Sequence, residues 1–206
     1  MSQFGLKTGD ILLFDFEAGG IFGIFTSLIK YFTKSKFSHV AMVLKDPTFI
    51  HPSLKGYYVW ESSWEDGKKD PQDGKVKLGV QITPFSEIYN YYKDNNSSIY
   101  VRKVNCNPKL FNDKTMSEIH RVVYDKPYDI VPKDWIEAIN RKDSDPQKKS
   151  RFWCSALIGY IYTKAGLLKE DTDWSILRAS DFSVEYKDIL NFINNASLED
   201  KETQIL

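Results

Sequence analysis

At 206 residues the chain can fill one core, and 42% hydrophobic with 27% charged residues is the balance of a globular protein. Its 28 basic and 28 acidic side chains cancel, which argues against a nucleic-acid binder, since that function calls for a basic excess or stripe. The two cysteines, Cys106 and Cys154, are too few for a secreted disulfide framework and suit a reducing compartment, although a single Cys106–Cys154 bridge would also account for them.

Met1 to Asp10 lacks the basic start and apolar run of a signal peptide, so the expectation is a cytoplasmic protein. After the Gly9-Asp10 turn, Ile11 to Phe14 reads as a short buried strand. From Ile21 to Thr33, apolar residues recur at Ile21, Ile24, Phe25, Leu28, Ile29 and Phe32. That spacing predicts an amphipathic helix packed on a sheet; the same stripe, Ile21 to Phe32, would also suit contact with a membrane surface or a lid. It is broken by Thr26, Ser27 and Lys30 and is too short to span a bilayer.

Ser38 to Leu44 is a strand ended by Asp46-Pro47, and Tyr57 to Ser63 is a second. Glu65 to Lys77, rich in Asp, Lys, Gly and Pro, reads as an exposed loop. The small basic clusters at Lys75-Lys77 and Lys148 to Arg151 read as solvated. Val76 to Ile82 and Ile99 to Val104 supply further strands. The high aromatic content, 15%, suits either a β-rich core or an aromatic-lined pocket.

Beyond Asn107-Pro108 the pattern turns helical. Asn112 or Asp113 can cap a helix reaching Tyr124, and Pro132 can open another across Trp135, Ile136 and Ile139. Arg141 to Ser150 reads as a polar linker, followed by a helix from Cys154 to near Gly166 and a last helix from Val184 to Asn194. Strands first and helices later make an α+β fold: one domain over residues 1–195, then a frayed polar tail at 196–206.

Cys154 sits where the polar run Ser150-Arg151 gives way to an apolar helix, which puts its sulfur in the first helical turn. Open backbone N–H groups and the helix dipole favour a thiolate there. A thiolate nucleophile needs a base, and three histidines are available. His120 lies mid-helix among Met116, Ile119 and Val123 and reads as a packing residue; His51 precedes Pro52 in a loop and reads as solvated. His39 begins an apolar strand, so rigid backbone would place its ring, though a strand histidine also suits a satisfied core residue. Glu61 favours the catalytic reading: an acid inside Tyr58 to Ser63 can share a face with His39 if the two strands pair antiparallel. An exposed strand carboxylate is the plainer alternative.

These residues, with the Leu6 to Phe14 opening, the Ser38 to Val43 strand, the Lys126-Pro127-Tyr128-Asp129 turn, the run Phe152 to Tyr160 and Ala179 to Phe182, together resemble the circularly permuted papain-like hydrolases of the NlpC type, a group with YiiX-like bacterial and poxvirus members. The order His, acid, Cys is the reverse of the unpermuted enzymes. The resemblance implies a small antiparallel sheet or half-barrel packed against helices, with the nucleophile at a helix N-terminus. It implies Cys154 as nucleophile, His39 as base and Glu61 as the orienting third member, with Tyr128 and Ser155 as substrate-binding or oxyanion residues, and no metal or cofactor.

The activity it implies is hydrolysis of an amide bond in a small peptide, acyl-amino or lipid-like substrate. A lipid acyltransferase or thioesterase on the same site, and a non-catalytic ligand- or host-interaction module, are the alternatives. Two segments depart from the family pattern: Ile21 to Phe32, which would reshape the substrate groove, and the charged stretch Asp66 to Lys77, which is either a specificity loop or decoration.

Overall fold

The computed structural model describes residues 4–16, 35–63, 68–129, 141, 147, 149–186 and 188–206. The expected helices at Ile21 to Thr33 and beyond Pro132, and most of the Arg141 to Ser150 linker, lie outside these residues. In chain order the main elements are β1 (Ile11–Asp15), β2 (His39–Lys45), β3 (Tyr57–Ser63), β4 (Gly79–Pro84), α1 (Phe85–Asp94), β5 (Ser98–Arg102), β6 (Val104–Asn105), α2 (Asp113–Val123), α3 (Cys154–Lys164), β7 (Ser197–Leu198) and β8 (Thr203–Gln204). The chain is therefore α+β, built on a six-stranded antiparallel sheet in the order β4-β3-β2-β1-β5-β8.

Helices cover both faces of this sheet. Ile11, Leu13, Val40, Met42, Leu44, Trp60 and Ile82 share a core with α2 and α3. Leu12, Phe14, Ala41, Val43, Val59, Ile99 and Val101 pack under α1 through Phe85, Ile88 and Tyr92. Burial on two sides explains why β1 and β2 read as unbroken apolar runs rather than alternating ones. Helix α3 is buried along nearly its whole length, as its apolar composition on every side requires. At Gly159 a side chain would meet Leu177 Cδ1 at 2.6 Å and Trp174 Cβ at 2.8 Å, so only glycine lets the helix approach that loop. Helix α2 begins as its sequence predicts, with the Asn112 side chain accepting from the Thr115 N–H at 3.1 Å.

The sheet divides at one end. Pairing of β2 with β3 runs from Lys45/Tyr57 to Met42/Trp60 and stops. Beyond that point β2 stays with β1 as far as His39, and β3 stays with β4 as far as Ser63. His39 to Ala41 and Glu61 to Ser63 thus form two arms, and the start of α3 meets the sheet at this divide.

Several expectations need correction. The strand expected from Val76 to Ile82 begins at Gly79, and Val76 makes only an isolated bridge to Lys69. The strand expected from Ile99 to Val104 divides into β5 and β6. Residues 85–94 form α1, which was not expected; Phe85, Ile88 and Tyr92 have the spacing of a buried helical stripe, and Glu87 lies in the first turn. The helix expected at Val184 to Asn194 is a single 3-10 turn, Val184–Tyr186. Its second half is drawn into pairing instead, with Phe192 bridging Leu168 and the Ile193 N–H donating to the Leu167 carbonyl at 2.8 Å.

The C-terminal tail is not frayed. β7 pairs with β6 and β8 with β5, and Leu198 joins the core. The loop after β3 is not simply exposed either: Asp70 and Lys77 are buried together, with Lys77 Nζ 2.8 Å from Asp70 and 3.0 Å from Asp73. Among the described residues no helix is long and apolar enough to cross a membrane.

Candidate active site

Cys154 is the first residue of α3, and Trp153 before it is extended (φ −86°, ψ 175°). The segment delivering it is held from two sides. Ser62 Oγ, on the β3 arm, donates to the Phe152 carbonyl at 2.6 Å, and the Phe152 N–H donates to the Pro127 carbonyl at 3.1 Å. These bonds seat the helix start in the divide between β2 and β3, where the Cys154 sulfur meets the backbone N–H groups of Val40 and Ser155.

His39 stands between two partners. Its Nε2 lies 2.8 Å from Glu61 Oε2, which leaves Nδ1 for the hydrogen bond to Cys154. The ring packs on Phe14 with centroids 5.2 Å apart. Burial alone would lower the imidazole pKa, but the hydrogen bonds to Cys154 and Glu61 and their negative charges overcome it and push His39 up to about 10. Burial likewise disfavours a charged sulfur, yet the His39 hydrogen bond and charge, with the Val40 and Ser155 N–H groups, bring Cys154 below the ordinary thiol value. Both shifts point to a thiolate–imidazolium pair in a site where only 7% of Cys154 is exposed.

Glu61 is itself buried, and its second oxygen accepts from Thr83 Oγ1 at a long 3.4 Å. The acid and the base lie on diverging arms of the sheet, so their side-chain hydrogen bond spans the divide that the backbone ladder leaves.

Tyr128 is brought to the same place. Its N–H donates to the Leu78 carbonyl at 3.1 Å, and it bridges Phe152 beside the nucleophile. Burial and the nearby charges of Cys154 and Asp129 hold its phenol well above the usual tyrosine pKa, so it keeps its proton and can donate. The Ser155 hydroxyl donates to the Leu177 carbonyl at 2.6 Å and ties α3 to the next loop. What Ser155 offers the site is its backbone N–H.

The other histidines and Cys106 stand apart. His120 sits among Phe49, Trp60 and Tyr124, with Nε2 2.5 Å from Gln72 Oε1, and burial lowers its pKa. His51 is exposed and pairs with Ser53. Cys106 and Cys154 are not bridged to each other, which removes the disulfide alternative. Among the described residues no cluster of His, Cys, Asp and Glu could hold a metal ion.

Two features beside the site were not foreseen. The Val40 N–H is a backbone group whose availability depends on where strand pairing ends, which residue types do not report. Gln81, opposite Glu61 on β4, is a buried polar residue within an apolar strand, and that oddity was readable. No protein-family model matches the chain, and no curated protein matches it.

Proposed function

We propose that the protein is a cysteine hydrolase that cleaves an amide bond, in a small peptide or acyl-amino substrate, through an acyl-enzyme on Cys154. The observation that carries this reading is the His39 ring held between the Cys154 sulfur and the Glu61 carboxylate. A core histidine with a structural role needs neither a thiol at a helix start nor two N–H groups directed at that thiol. The arrangement also supports a permuted papain-like fold, since a helix-borne cysteine follows the histidine and acid in the chain and meets the same sheet.

In this mechanism the Cys154 thiolate attacks the carbonyl carbon, and the oxyanion is met by the Cys154 N–H and the Tyr128 hydroxyl. His39 Nδ1 gives its proton to the leaving nitrogen as the C–N bond breaks. Water then loses a proton to Nδ1 and attacks the acyl carbon, and C–S cleavage restores the thiolate and the imidazolium. Glu61 fixes the tautomer throughout and favours the cation.

The test is alkylation by iodoacetamide in a Cys106→Ser background, so that Cys154 is the one thiol. Cys154 should react faster near pH 6 than an ordinary thiol, and His39→Ala should slow it by at least about tenfold. Equal rates with and without His39 would refute the reading.

A further inference from the structure

Gln81 is 1% exposed, and neither its side-chain oxygen nor its nitrogen has a hydrogen-bond partner among the described residues. A buried primary amide with both ends unpaired lowers stability and calls for an explanation. Its position supplies one. In the β3–β4 ladder Gln81 is directly opposite Glu61, and cross-strand partners project to the same face. Thr83, two residues along the same strand, already reaches Glu61 Oε1, but at 3.4 Å.

We propose that Gln81 is a positioning residue that supplies a second close hydrogen-bond donor to Glu61 while the acyl-enzyme exists. The proposal rests on the acyl-enzyme reading above. In the resting site the His39 cation balances the Glu61 carboxylate. Once His39 Nδ1 has given its proton to the leaving nitrogen, the imidazole is neutral and Glu61 is left a buried anion with one close donor, Nε2–H. Rotation of the Gln81 side chain then places its NH2 on Oε1. Without that donor the carboxylate is held on one side only and turns more readily off Nε2–H, so that Nδ1 is less well placed to accept the proton of the attacking water. Gln81 acts through Glu61 and His39 and touches no reacting atom.

Glu61 is faced by His39 from β2 and by Gln81 and Thr83 from β4. Through His39 it is linked to Cys154 on α3, beside which stands Tyr128, itself next to the Asp129 charge. Helix α1 brings Tyr92 to this face of the sheet, where it packs on Phe14. Gln81 is the neutral donor in this set whose hydrogen-bonding capacity is unused.

The test compares the Cys106→Ser protein with its Gln81→Met variant, using p-nitrophenyl acetate as the acyl donor. Methionine keeps the length and removes the unpaired amide, so the variant should melt at a higher temperature. The burst of p-nitrophenol should stay within about twofold of the parent, while the steady-state rate after it falls about tenfold. A lower melting temperature with both phases reduced together would make Gln81 a packing residue and overturn the proposal. An unchanged steady-state rate would overturn it as well. A parent protein with no burst overturns the acyl-enzyme reading itself, and that result is visible before any change at Gln81.

Discussion

Ser62 Oγ donates to the Phe152 carbonyl at 2.6 Å, so the strand that carries Glu61 also fixes the segment that delivers Cys154. This bond joins residues far apart in the chain and lies next to both Glu61 and Trp153-Cys154. Removing it tests whether seating of the helix start controls the thiol. Ser62→Ala leaves a buried carbonyl without this donor, a loss of about 1–2 kcal/mol in a urea melt. The same variant should raise the pH at which Cys154 becomes alkylable, because the sulfur is held less closely to His39. A stability loss with an unchanged alkylation profile would confine the bond to packing.

The His39–Glu61 pair predicts a pH dependence with a definite sign. His39 is raised from 6.5 to about 10, so its contribution to stability is present in full below 6.5 and is lost as pH rises through about 10. Cys154 is lowered, so its contribution is present above the ordinary thiol value and is lost as pH falls through the lowered one. Glu61→Gln removes the negative charge beside the imidazolium and should bring the His39 titration, followed by its ring C–H resonances, down toward 6.5. A midpoint that stays near 10 in the variant would show that Glu61 does not support the cation.

Gly159 predicts a packing penalty without a chemical one. The added methyl of Gly159→Ala would meet Leu177 and Trp174 inside contact distance. Overpacking of this kind costs about 1–3 kcal/mol, read as a lower denaturant midpoint with an unchanged slope. Since the contact lies more than one helical turn from Cys154, alkylation of the thiol in the folded protein should keep its pH profile.

The C-terminal strand predicts an effect of truncation. Deleting residues 203–206 removes β8 and uncovers the edge of β5, where the Ile99 N–H and carbonyl now bond the chain end. An unpaired strand edge favours association between copies. The truncated protein should lose stability and self-associate in light scattering; a monomer as stable as the full chain would show that β8 contributes nothing.

The elements that proved legible are those whose own residues decide them. β3 was readable from its aromatic and β-branched run, α2 from its Asn112 cap, and α3 from a polar-to-apolar switch at Cys154. The His39 and Glu61 pairing was readable too, because both sit on strands and alternation restricts their faces. The segment Val184 to Asn194 was misread because its apolar residues suit a helix, while Leu167 and Leu168 offer backbone partners that only the folded chain supplies. Polar residues hid the tail strands in the same way: Thr203 and Gln204 are exposed, and their order comes from β5. Which way the Ser155 hydroxyl turns, toward the Leu177 carbonyl, is likewise set by the folded chain.

The divide between β2 and β3 also sets when the thiol can become reactive. His39 and Glu61 belong to early strands, whereas the Cys154 sulfur arrives with a helix made much later and reaches its N–H donors only after docking at the parted end of the sheet. A chain emerging from the ribosome, or one partly unfolded, therefore carries at Cys154 an ordinary, mostly protonated thiol. A lowered thiol pKa at Cys154 is in this sense a property of the finished fold.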